Sequence, residues 1–237
     1  MRSRSIGLYR KHRFPPEIIA YAVWLYHRFS LSFREVEELL AERGVTVSHE
    51  AIRLWCLRFG QTFARKLRHC RGRPGDTWHL DEVFIRIRGA RYYLWRAVDQ
   101  DGQTLDILVQ KRRNARAAKR FFRKLLKGLR YVPNQLVTDK LRSYAAAHRT
   151  TFPSVRHCTT QYANNRAEVS HQPTRQRERH MRRFKSLRQV QRFLSVHSPL
   201  NNLFPVGRHL MRAAHYRGFR DKAFTTWREV TAGLAAA

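Results

Sequence analysis

Acidic residues are scarce in this chain. Its 237 residues hold 17 Asp and Glu against 48 Lys and Arg, a formal net charge of +31, with a pI near 11.5. Self-repulsion of that size works against a compact state and exceeds what solubility needs, so a polyanionic partner is implied. Nucleic acid is the first candidate, because release of condensed counterions drives basic proteins onto phosphate backbones. Long apolar runs are missing as well. The longest, Ile18 to Tyr26, is too short to cross a bilayer, which argues against a membrane. The opening "MRSRSIGLYRKHRF" carries charge with no apolar segment behind it, unlike a secretory signal. Cysteine is rare. Cys56, Cys70 and Cys158 are odd in number and show no C-x-x-C spacing, so a disulfide framework is excluded and a reduced, cytoplasmic setting is expected. The pairs His69-Cys70 and His157-Cys158 lie too far apart for a zinc finger or ribbon.

What is present is enough apolar residue, 43% of the chain, to exclude a disordered polycation. The first 67 residues have helical texture. "PPEIIAYAVWLYHRF" follows a proline pair suited to a helix start. "SFREVEELLAERG" opens on Ser32-x-x-Glu35, a capping box, and ends at Gly44. Ser48 caps a third helix whose Ile52, Trp55, Cys56 and Phe59 recur at helical spacing. Two amphipathic helices around a tight turn form a helix-turn-helix pattern, which would carry His49, Arg53 and Arg58 into a major groove of double-stranded DNA. A plain helical hairpin with a solvated basic face is the alternative.

The basic, Gly- and Pro-bearing stretch "RKLRHCRGRPGD" reads as a linker, placed at 68–76. Beyond it "TWHLDEVFIRIRG", "RYYLWRAVD" and "TLDILVQ" are strand-like, with turns at Gly89 and Asp101-Gly102, and predict a three-stranded meander. Helical "NARAAKRFFRKLLKGL", strand "QLVTD", helical "LRSYAAAH" and strand "VRHCTTQY" follow. The order predicts an α/β domain, a mixed sheet with helices packed on it, over 77–195. Residues 196–237 form a basic extension without an evident role.

Between Ile107 and Arg177, a stretch dense in Lys and Arg, the acids are Asp139 and Glu168 alone. Asp81 sits inside the first strand, where aspartate is poor β chemistry; pairing with an arginine such as Arg96 would also explain it. Strand alternation points its neighbour Glu82 to the other face, so one of the two is expected to serve a shared site. Asp139 ends the strand "QLVTD", either at a ligand-collecting carboxyl end or as an N-cap for the next helix. Glu168 falls at N3 of a helix opened by Asn165, and Arg175 lies on the same face at i+7, with Pro173 expected to kink that helix or restrict its first turn. Each acid alone has a structural explanation. Together, three carboxylates from two strands and a helix can supply two divalent metal ions for in-line phosphoryl displacement. Tyr144 and Tyr162 lack the activating groups that a nucleophilic recombinase needs.

The run "HLDEVFIRIRGARYYLWRAVDQDGQTLDILVQKRRNARAAKRFF", then "VTDKLRSY", then "QYANNRAEVSHQPTRQRERHMRRFKS" closely resembles DDE transposases of bacterial insertion sequences, in particular insertion sequence family six. The likeness runs from about Pro15 to Ser195. It implies a ribonuclease-H-like catalytic domain behind a small all-α helix-turn-helix domain, with the acid triad on Asp81, Asp139 and Glu168 and the basic residue on Arg175. It also implies Mg²⁺, with Mn²⁺ expected to substitute. The DNA partners are the element's inverted-repeat ends and the target, in the bacterial cytoplasm with the nucleoid. Synapsis of two ends implies a homodimer or higher homo-oligomer. One departure is that 28 residues separate Asp139 from Glu168, fewer than is usual for the family, so the connection around "AHRTTFPSVRHC" is expected to be trimmed. A DNA-binding repressor or architectural protein without catalysis is the rival reading.

Overall fold

A computed structural model describes residues 7–160, 162–204 and 211–232. Residues 1–6 of the expected helical region, Gln161 of the acid-bearing motif, and 205–210 and 233–237 of the expected extension lie outside the described residues. The chain divides into two compact units, Met1–Arg71 with Val196–Ala237, and Gly72–Ser195.

The first unit is helical. Helix α1 (Pro16–Arg28) starts with proline in its first turn, where the missing N–H costs nothing. Helix α2 (Phe33–Ala41) opens on the expected capping box: Glu35 N–H donates to Ser32 Oγ at 3.2 Å, and Ser32 N–H to the Glu35 carboxylate at 2.5 Å. The chain reverses through Gly44, whose φ of +73° suits glycine. Helix α3 (His49–His69) then begins under the Ser48 hydroxyl and buries Ile52, Trp55, Cys56 and Phe59. It continues into the start of the stretch read as linker, because Leu67 still finds a buried position.

The segment after Val196 completes this core. Gly60 brings α3 close to Val196, where an added Cβ would stand 3.3 Å from a valine methyl. His197 Nδ1 lies 2.7 Å from the His27 carbonyl. In α9 (Ala213–Thr231), Trp227 meets Phe63 edge-on at 5.4 Å, and Tyr9 donates to the Thr231 carbonyl at 2.6 Å. No described helix is long and apolar enough to cross a membrane.

The second unit is built on a sheet. Strands β1 (Thr77–Ile87), β2 (Ala90–Asp99) and β3 (Thr104–Gln110) form the antiparallel meander, while β4 (Gln135–Thr138) and β5 (Arg156–Cys158) run parallel to β1, in the order β3-β2-β1-β4-β5. That is the ribonuclease-H-like arrangement. The β1–β2 turn uses Arg88 and Gly89, both at positive φ, as a two-residue hairpin that matches strand twist requires. Helices α4 (Ala115–Leu129) and α5 (Arg142–Thr151) cover one face, where Trp78, Leu80, Trp95, Phe121, Phe122, Tyr144 and Phe152 make the core. The short Asp139–Glu168 connection is well used: Phe152 and Val155 belong to that core, and β5 pairs with β4.

The helix expected to carry both Glu168 and Arg175 is two helices, α6 (Asn165–Val169) and α7 (Gln172–His180). Pro173 causes the break. It has no N–H to offer the Val169 carbonyl, and its ring would clash there, so it sits instead in the first turn of α7. The cap of α6 is Asn164, which moves Glu168 from N3 to the next position. Helix α8 (Leu187–Leu203) follows α7 and spans the division between the units.

Candidate functional site

The carboxylates meet where β4 ends. β4 pairs with Thr77–Leu80 and stops at Thr138. Asp81 is therefore the first β1 residue without a strand on that side, and Asp139 is the first residue beyond β4. Ligand oxygens of Asp81, Glu82 and Asp139 all lie within 4.8 Å of one another. Strand alternation sends Asp81 and Glu82 to opposite faces, yet both carboxylates approach Asp139 here. Past the end of the neighbouring strand both side chains border the same notch, so opposite pleat directions no longer keep them apart.

Asp81 faces Arg96 across the β1–β2 register. Arg96 does not neutralise it. That guanidinium is buried and donates to the Ser170 carbonyl and the Thr174 hydroxyl, fastening the α6–α7 junction to the sheet. Asp81 has His171 instead, with Nε2 at 3.2 Å from Oδ2. The contact is close but outside hydrogen-bond alignment, and neither ring nitrogen finds a bonded partner. Burial holds the imidazole below its ordinary pKa, with Asp81 pulling the other way and Arg96 adding to the lowering.

Asp139 does not cap α5, whose N-cap is Leu141 without a side-chain bond. Its Oδ1 accepts from Leu141 N–H at 3.0 Å, an Asx turn that leaves Oδ2 facing Arg113. Burial raises its pKa, the Leu141 N–H lowers it, the charge of Asp81 raises it and Arg113 lowers it, with the upward causes prevailing. Glu82 is fully buried in its side chain, beside Tyr144. Burial pushes it up to about 7, against the opposing pull of Tyr144 and Arg113. Arg113 donates to one Glu82 oxygen and stands 3.5 Å from Asp139. The Tyr144 hydroxyl is the other buried donor beside the Glu82 carboxylate.

Glu168 is exposed and lies outside the group of three. Its helix is anchored on both sides of it. Asn164, four residues before, donates to the Leu80 carbonyl at 2.8 Å, and His171, three after, touches Asp81. Asn164 is the N-cap of α6 and His171 the N-cap of α7, so the two contacts bracket Glu168 from either end. Arg175, on α7, places its guanidinium 5.3 Å from the Phe84 ring centroid and bonds Glu178 at 2.9 Å. On α3, His49 contacts Glu37 at 3.1 Å, Arg53 forms two bonds to Glu50 at 2.8 and 2.6 Å, and Arg58 is exposed over Phe59. Exposed Leu54 and Leu57 lie among them, an apolar component of that face which the charge pattern did not disclose. Helical spacing puts His171 or Gln172 on the face of Glu168 and Arg175, but sequence reasoning missed Arg113 and Asn164. Nothing local marks those two, since their partners are 26 or more positions away.

A family profile described as "DDE domain" matches residues 75–206. The chain is 32% identical over 171 residues to the transposase for insertion sequence-like element IS431mec of Staphylococcus aureus, covering 70% of this chain and 76% of that protein. It is 31% identical over the same length to the Staphylococcus aureus transposase for insertion sequence element IS257 in transposon Tn4003, with the same coverage. Among solved structures, the HTLV-2 integrase catalytic core domain in complex with magnesium overlaps with a TM-score of 0.40 at 13% identity, covering 61% of this chain and 94% of that one.

Proposed function

The chain belongs to the DDE transposases of insertion sequence family six, and from that premise we propose that Asp81, Asp139 and Glu168 hold the divalent cations with which it cuts and joins DNA. As a transposase it recognises the element's inverted repeats, cleaves there and transfers the freed strand to target DNA. The observation that supports Asp81 and Asp139 is their convergence with Glu82 within 4.8 Å at the open end of β4, and Glu168 joins them on its resemblance to the family's motif.

The residues suit a hard cation. They offer carboxylate oxygens alone, the donor set of Mg²⁺ and Mn²⁺, and carboxylates this close favour a positive ion between them. Bound there, a divalent cation supplies Lewis acidity to the phosphoryl group and makes a water or a 3′-hydroxyl a better nucleophile at neutral pH. The protein's own groups do the positioning. The Asx turn fixes Asp139, His171 bears on Asp81, and Asn164 with Arg96 seats the helices that present Glu168 and Arg175. Arg175 holds a phosphate oxygen of the scissile strand. Arg113 bonds Glu82 and stands 3.5 Å from Asp139 Oδ2, the oxygen it would yield to the cation.

His49, Arg53 and Arg58 are the proposed DNA contacts of α3, with Arg53 exchanging Glu50 for DNA. Two ends cut together require a homodimer or larger assembly, acting in the bacterial cytoplasm on the nucleoid. The test is nicking of an inverted-repeat duplex by purified protein with Mg²⁺ or Mn²⁺. Asp139→Asn is expected to lower nicking by roughly 100-fold or more while binding stays within about twofold. Nicking by that variant at the wild-type rate would overturn the site assignment. Tight binding by wild-type protein with no metal-dependent nicking would favour the repressor reading.

A further inference from the structure

Beyond Asp81 the edge of β1 is open. β4 has ended, and the next backbone partner on record along β1 outside the hairpin is an isolated bridge from Ile87 to Phe184. An open groove of 690 Å³ lies here, with Phe84 and Arg86 from β1, Arg175, Glu178 and Arg179 from α7, and Arg182 and Arg183 from the turn after α7. Five arginines face one glutamate, and that glutamate is committed to Arg175 at 2.9 Å. The groove is therefore strongly cationic.

Two features go beyond a basic surface. Phe84 is 49% exposed, and the guanidiniums of Arg91 and Arg175 each stand 5.3 Å from its ring centroid. A phenylalanine left half in water within a ring of cations offers an aromatic face to a planar, electron-rich partner, and arginines to that partner's charge. The second feature is the turn. Arg182 and Arg183 adopt φ values of +48° and +72°, a region that non-glycine residues seldom visit. The turn is held by Arg182 N–H to the Arg179 carbonyl at 3.0 Å, Arg183 N–H to the Glu178 carbonyl at 2.9 Å, and burial of Phe184. It keeps two adjacent arginines at the groove wall.

We propose that this groove takes an unpaired nucleotide of the DNA strand beside the cleaved bond, its base stacked on Phe84 and its flanking phosphates on Arg179, Arg182 and Arg183. Duplex DNA hides its base faces, so an exposed aromatic is useful only where pairing is broken. Phe84 lies about 10 Å of strand rise from Asp81 and on the pleat of Glu82, whose carboxylate adjoins those of Asp81 and Asp139, which puts the stacked base within one or two nucleotides of the reacting phosphate. This rests on the reading that Asp81 belongs to the cutting site.

The experiment compares full-chain protein on two versions of an inverted-repeat duplex, one fully paired and one unpaired for two nucleotides at the cleavage point, with 2-aminopurine as the unpaired base. Wild-type protein is expected to bind the unpaired version about tenfold more tightly and to change its 2-aminopurine fluorescence. Phe84→Ala is expected to lose both, and Phe84→Trp to keep them. Arg179→Ala with Arg182→Ala should weaken binding to both versions and shallow the salt dependence by about one phosphate contact each. Phe84→Ala that retains the preference and the fluorescence change overturns the proposal. Nicking is read on the same complexes: nicking without preference for the unpaired version sinks the groove alone, whereas a Phe84-dependent preference without nicking supports the groove and sinks the cutting site.

Discussion

His171 stands with its Nε2 3.2 Å from the Asp81 carboxylate, three residues after Glu168 and inside the junction that Pro173 creates. The contact ties the segment bearing the third acid to the strand bearing the first. Arg96 reinforces it from beneath, bonding Ser170 and Thr174 on either side of His171. The break between α6 and α7 is thus a docked joint.

His171→Ala should lower nicking by about 10–100-fold and raise the Mg²⁺ concentration needed for half-maximal rate, the pattern of a positioning residue behind a ligand. His171→Gln, which keeps a polar atom near Asp81, should recover part of the loss. An unchanged Mg²⁺ dependence in His171→Ala would show that the contact does not orient Asp81.

Arg96→Met removes charge-assisted bonds from a residue only 3% exposed. The expected loss is about 2–4 kcal/mol of unfolding free energy in urea, since both acceptors lose their donor in a dry site. A loss below about 0.5 kcal/mol would mean that the joint is held by other contacts.

Arg113→Ala should destabilise the protein more than Arg113→Ala combined with Glu82→Gln, because the single change leaves a buried carboxyl without its cation. A double-mutant cycle at pH 8 measures the coupling, expected near 1–3 kcal/mol. Strict additivity would show that Arg113 and Glu82 do not act as a pair.

His157 predicts an acid sensitivity. Its pKa is lowered by burial and by nearby His148, whose ring stacks on it at 4.6 Å. The unfolded chain therefore binds the proton more readily. This contribution to stability is present above the unfolded value of 6.5 and is lost as pH falls through the lower folded value. Thermal unfolding followed from pH 7.5 to 5 should show a falling midpoint, with a shallower fall in His157→Gln. Equal slopes would remove His157 as the cause.

Arg53 is bound to Glu50 before any DNA arrives. Glu50→Ala should tighten inverted-repeat binding severalfold by freeing the guanidinium, while Arg53→Ala should weaken it more for the repeat than for random duplex. Equal weakening on both DNAs would make Arg53 a phosphate contact.

Local chemistry was enough to read much of this chain. The Ser32–Glu35 box, the Ser48 cap, the apolar spacing from Ile52 to Phe59 and the turn at Gly89 act within a few residues, so their signals survive in one dimension. Asp81 and Asp139 stood out for a related reason: a carboxylate inside or just past a strand is unusual enough to need a partner. Glu82 was set aside by strand alternation, yet its carboxylate also approaches Asp139 because β4 stops short, and where a parallel strand stops is decided by packing far along the chain. The same holds for Arg113, Asn164 and His171, ordinary polar residues until the fold brings them to Glu82, Leu80 and Asp81, and for the segment after Val196, whose apolar residues gain a role only against α1 and α3. Residue types named the chemistry, and burial and strand ends chose which side chains meet, because those depend on contacts that no short stretch of sequence contains.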